Sequence, residues 1–133
     1  MAHNGTLRII LATLSLLVCV QVPLRAQLTV KEYKEFSKEE NGKLMMKTYV
    51  KGMGEGILIA NIQLANIQAG SENKVKLYCP LDRLAVNADN YIDILEAEIK
   101  INSVTQPAKL DSAPLSALLM AGLQRTFPCQ ASK

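Results

Sequence analysis

Met46, Val50, Met53, Ile57, Ala60, Leu64 and Ile67 follow one another at alternating steps of four and three residues. Side chains so spaced form one apolar stripe on an α-helix, whereas on a strand they would scatter over both faces. The pattern predicts a helix over 43–69, which at 1.5 Å per residue is about 40 Å long. Lys47, Lys51 and Glu55 occupy another face, where Lys51 and Glu55 are spaced to pair. Gly52, Gly54 and Gly56 interrupt the pattern, each at a cost of about 1 kcal/mol of helix propensity relative to alanine. Their GxGxG spelling invites a nucleotide-binding reading, but no strand precedes it and no further glycine completes the fingerprint. Close approach of a neighbouring helix explains the glycines better.

Shorter helices flank the long one. Thr29-Val30-Lys31-Glu32 spells a capping box, and Tyr33 and Phe36 behind it lie three apart, so a first helix is predicted over 29–40. Asn41-Gly42 reads as the turn that ends it. After a loop at 69–73, Val75, Leu77 and Cys79 alternate with polar residues in a short extended piece. Ala88, Tyr91, Ile92, Leu95 and Ile99 share a face of a helix over 87–101. Its other side carries Asp89, Asp93 and Glu96. Paired carboxylates serve glycoside hydrolysis, but nothing in the sequence raises the pKa of one of them, and a solvated helix face is the simpler reading. Residues 102–111, with Pro107, read as a polar connector. The last helix is expected to start at Asp111 or Ser112, with Pro114 in its first turn, and to bury Leu115, Leu118, Leu119 and Leu123. Pro128 ends it. The fold class expected is all-α, a compact bundle of about four helices.

The first 26 residues read as a secretory signal peptide: Arg8, the uncharged run 9–20, then Leu24-Arg25-Ala26 at the cut. The run is too short to span a bilayer, and Val18 before Cys19 is a poor fit for lipid modification. Residues 27–133 then form a single domain. Loss of Arg8 and Arg25 brings the 15 basic residues of the chain to within one of its 12 acidic ones. Such a balance argues against nucleic acid or an anionic membrane as partner. The one histidine, His3, leaves with the leader. Without it neither a serine–histidine nor a cysteine–histidine pair is available, nor histidine-ligated zinc. The chain is read as a non-enzyme with no catalytic residue, cofactor or metal. Cys79 and Cys129 remain, and in an exported protein they most simply form one disulfide. Closing a loop of about 50 residues stabilises a fold by roughly 4 kcal/mol on the chain-entropy model. A reactive or metal-binding thiol pair is the alternative.

Tyr49-Val50-Lys51-Gly52 within the long helix, Tyr78-Cys79-Pro80, and Phe127-Pro128-Cys129 near the end resemble the Tai-type immunity proteins of bacterial type VI secretion. The spacing of the third helix, the connector, Pro114 and the leucine-rich last helix is also similar, so that the resemblance spans about 43–129. Members often carry a second cysteine pair nearer the start, where this chain has Phe36 and Met46. The resemblance implies a periplasmic, helical, often dimeric protein that binds a peptidoglycan amidase toxin and occludes its active-site cleft.

Polarity and position, with helices on both sides, make Asn102, Ser103, Val104, Thr105, Gln106 and Pro107 the candidate toxin-binding segment. Ser71–Lys76 is the runner-up. A homodimer is expected, the glycine face of the long helix receiving the second copy. A small periplasmic acid-stress-type chaperone has the same size and architecture, and would expose the 46–67 stripe at low pH. An accessory helical domain with an unrelated partner is the third reading.

Overall fold

A computed structural model describes residues 27–70, 75–80 and 87–129. The expected leader, 1–26, and most of the runner-up segment, 71–74, lie outside them. The described chain is all-α: α1 (Val30–Phe36), α2 (Glu40–Ile67), α3 (Ala88–Thr105), α4 (Pro107–Leu110) and α5 (Leu115–Thr126). Among the described residues one isolated β-bridge joins Thr29 to Pro114. There the Val30 amide donates to the Ala113 carbonyl at 3.0 Å and the Leu115 amide to the Leu28 carbonyl at 2.9 Å, tying the start of the described chain to the entry of α5.

Several boundaries have a local cause. Thr29 and Glu32 form the predicted capping box at the start of α1. α1 stops at Phe36, however, and the expected turn at Asn41-Gly42 is instead the first turn of α2. Gly42 does not end a helix; it allows the α1–α2 corner to close, because a Cβ there would lie 1.8 Å from the Phe36 carbonyl oxygen. The expected connector 102–111 is also largely helical. α3 runs on to Thr105, and the Ser103 and Thr105 hydroxyls bond back to carbonyls of its preceding turn. It breaks at Gln106 (φ −141°, ψ 53°), since Pro107 disfavours helical geometry in the residue before it. Pro107 then opens α4. Ala113-Pro114 repeats the effect, so that Pro114 is the N-cap of α5 in place of Asp111 or Ser112. The bundle thus has five helices among the described residues where about four were expected.

α3 is the central element, packed against both α2 and α5. Tyr91 and Leu95 of α3 meet Val50 of α2 and Leu115, Leu119 and Leu123 of α5 in a core with Val30. Two glycines set the spacing. A Cβ on Gly54 would lie 2.6 Å from ring carbons of Tyr91, and one on Gly122 would lie 2.7 Å from Ile94 Cγ2. The close approach expected of the α2 glycines therefore holds at Gly54; Gly52 and Gly56 have nothing within 4 Å.

The stripe on α2 is used only in part. Met46 and Val50 are buried, Met53, Ile57 and Leu64 are half-buried, but Ala60 and Ile67 face outward. Asn61 takes the inward position instead. Its amide nitrogen donates to the Tyr78 carbonyl at 2.9 Å and its oxygen accepts the Leu77 amide at 2.7 Å. This clamp fixes a segment that has no secondary structure of its own. Tyr78 enters the core, its ring centroid 6.2 Å from that of Phe127. The Cys79 amide donates to the Phe127 carbonyl at 2.9 Å. Beside it Cys79 and Cys129, Cα atoms 4.9 Å apart, form the disulfide across 50 residues.

Candidate functional site

The six residues from Asn102 to Pro107 form the corner between α3 and α4 rather than a loop. Ser103 Oγ donates to the Lys100 carbonyl at 2.7 Å, and Thr105 Oγ1 to that of Ile101 at 3.1 Å. The Gln106 amide closes the last turn on the Asn102 carbonyl at 2.9 Å. These hydroxyls bond back along the surface of α3, and Val104 between them is 81% exposed at the corner, followed by exposed Gln106 and Pro107.

An ion pair with a buried carboxylate and an exposed arginine supports this corner from beneath. Glu98 is 3% exposed, yet its carboxylate has three donors. Arg125 of α5 offers Nε at 3.0 Å to one oxygen and Nη2 at 3.2 Å to the other, and Asn102 Nδ2 lies 3.0 Å from the second. The hydrogen bond to Glu98 raises the Arg125 pKa further. Asn102 also donates to the Glu98 carbonyl at 2.9 Å. Neither Glu98 nor Arg125 stands out among the sequence motifs. The available signal was spacing: Tyr91, Leu95, Glu98 and Asn102 recur at helical steps, which places a carboxylate on the buried face of α3.

The acidic side of α3 divides between two partners. Asp89 pairs with Lys47 of α2, and Glu96 accepts the Tyr33 hydroxyl of α1 at 3.0 Å. Burial, and the neighbouring Glu96 carboxylate, push the Tyr33 phenol up to about 12. Asp93 is exposed. Between α1, the start of α2 and α3 lies an open groove of about 430 Å³ that includes Tyr33, Leu44, Met46, Ile92 and Glu96.

The second half of α2 presents a different surface. Residues 56–67 carry no charge, and Ile59 (59%), Ile62 (49%) and Ile67 (81%) are exposed. The open Gly52 and Gly56 precede them. A helix apolar on several faces is ordinarily covered.

Among the described residues no group of three or more histidine, cysteine or acidic side chains is placed to hold a metal ion. No described helix is long and apolar enough to cross a membrane. Comparison with protein-family models, with curated proteins and with solved structures gave no match for this chain.

Proposed function

We propose that this chain is an exported immunity protein that blocks a peptidoglycan amidase toxin by placing the α3–α4 corner in its cleft. The observation that carries the reading is the state of that corner. An exposed Val104 is held on a turn where the Asn102, Ser103 and Thr105 side chains bond within the protein and whose base is fixed by Glu98 and Arg125. A segment already ordered loses less entropy on docking. An apolar centre ringed by polar groups is also the usual anatomy of a protein interface. The sequence resemblance suggests the class of partner, and the expected leader supports export of this chain to the periplasm where such a toxin would be met.

Val104→Asp tests the reading. It leaves the buried face of α3 untouched, so helical content by circular dichroism should not change. Toxin inhibition should weaken by at least about tenfold, as when a central interface contact is replaced by an unpaired charge. Unaltered inhibition by a folded Val104→Asp protein removes the corner from the mechanism.

The uncharged half of α2 supports a homodimer. Two copies meeting there bring no like charges together, and Gly52 and Gly56 permit close approach of the backbones. The exposed isoleucines also favour, as a second reading, the acid-stress chaperone, which would use the same surface for clients. Light scattering separates the two. A mass of two chains at neutral pH supports the dimer; a single chain that binds an apolar dye only at low pH supports the chaperone.

A further inference from the structure

The groove between α1, α2 and α3 shares no residue with the α3–α4 corner, and its chemistry is specific. Leu44, Met46 and Ile92 give it apolar walls. Its two cations are already engaged: Lys43 lies 3.2 Å from Glu40, and Lys47 pairs with Asp89. Glu96 is different. Its one hydrogen bond is from the Tyr33 hydroxyl to Oε1, which holds an exposed carboxylate in place at the edge of the groove. Among the described residues no cation pairs with it. An apolar occupant would strand that charge, and an anion would be repelled by it. A long side chain with an apolar stem and a cationic head satisfies both parts of the groove.

We propose that this groove takes the side chain of a lysine or arginine presented by a partner protein, the stem lying on Leu44, Met46 and Ile92 and the head on Glu96. Tyr33 is the positioning residue, since its hydroxyl fixes the carboxylate before the ligand arrives. The proposal does not depend on the partner being a toxin.

The n-butylammonium ion, a lysine side chain without its backbone, is the probe. Titrated into the purified protein at constant ionic strength, it should shift the amide resonances of Tyr33, Met46, Ile92 and Glu96 saturably. A ligand of five heavy atoms implies a dissociation constant on the order of 10 mM. n-Butanol, equal in stem and without charge, should bind at least about tenfold more weakly. Glu96→Gln keeps an acceptor for Tyr33 and should remove the preference for the ammonium ion; Tyr33→Phe keeps the charge and should weaken binding a few-fold. Equal binding of alcohol and ammonium, undiminished binding to a folded Glu96→Gln protein, or no saturable shift below about 100 mM overturns the proposal. The comparison of the two probes on the unmodified protein decides the matter even if a variant fails to fold.

Discussion

Arg125 reaches from α5 to α3 and grips the buried Glu98 carboxylate through two nitrogens, at 3.0 and 3.2 Å. The arginine side chain is 60% exposed and the glutamate 3% exposed, so the two ends of the pair have unequal consequences. Removing the cation leaves a buried charge. Arg125→Ala should lower the urea midpoint, by less than a fully buried pair would because solvent screens the largely exposed guanidinium. Replacing both residues by leucine should restore most of that loss, because the burial penalty goes with the charge. A single variant as stable as the unmodified protein would show that Glu98 is not held as described.

The α2 glycines divide into those that something covers and those left open. At Gly54 a Cβ meets the ring of Tyr91, which is itself buried, so Gly54→Ala should destabilise by about 2 kcal/mol despite its gain in helix propensity. At Gly52 nothing lies within 4 Å, and Gly52→Ala should stabilise the single chain by about 0.5–1 kcal/mol. If the open face receives a second copy, the same change lowers the mass in solution toward one chain. Equal effects at the two positions would contradict the close α2–α3 contact.

Reduction of the Cys79–Cys129 bridge should lower stability by about 4 kcal/mol on the chain-entropy model. The serine double variant should match the reduced protein. Helix content should largely survive in both, since the Asn61 clamp and the Cys79–Phe127 backbone bond hold the same segment without the sulfurs. A loss below about 1 kcal/mol would contradict the chain-entropy account of the bridge.

Tyr33 makes the fold sensitive to alkali. Its phenol titrates near 10 when unfolded and at about 12 in the protein, so the folded state favours the protonated form. That stabilisation is complete below about pH 10 and is lost as the pH rises toward 12. Urea midpoints across this range should fall more steeply for the unmodified protein than for Tyr33→Phe. Tyr78 and Tyr91, whose pKa values burial also raises, are present in both and cancel in the comparison. Parallel curves would contradict the shift.

The hydroxyls of Tyr78 and Tyr91 are buried and have no hydrogen-bond partner among the described residues. Removing an unpaired buried hydroxyl costs little, so Tyr78→Phe and Tyr91→Phe should lie within about 0.5 kcal/mol of the unmodified protein or above it. A loss beyond about 1 kcal/mol in denaturation would show that the group is satisfied after all.

Much of this fold is legible in the sequence because it rests on local rules. The capping box at Thr29, the helical period from Met46 to Ile57 and the leucines of α5 express themselves over a few residues, while the pairing of Cys79 with Cys129 follows from their being the two cysteines after the expected leader. Corners were harder. Asn41-Gly42 spells a turn, yet the glycine serves a contact with Phe36 that only the folded corner creates. Ser103 and Thr105 look like loop residues until their hydroxyls are seen to bond within α3. Asn61 lies one step off the apolar stripe, and its role depends on Leu77 and Tyr78, distant in the chain. The Glu98–Arg125 pair and the Tyr33–Glu96 bond join separate helices, so helical spacing indicates a face but not the partner across it.

The central claim is that this protein binds and blocks a peptidoglycan amidase. The direct measurement is a periplasmic pull-down of the tagged protein from its native cell, with peptidoglycan hydrolysis assayed on whatever survives a high-salt wash. The claim predicts one exported protein that cleaves cell-wall peptides when free and is inactive in the complex. Recovery of a bound protein whose hydrolysis is unaffected, or of many unrelated proteins only after acid exposure, would contradict it.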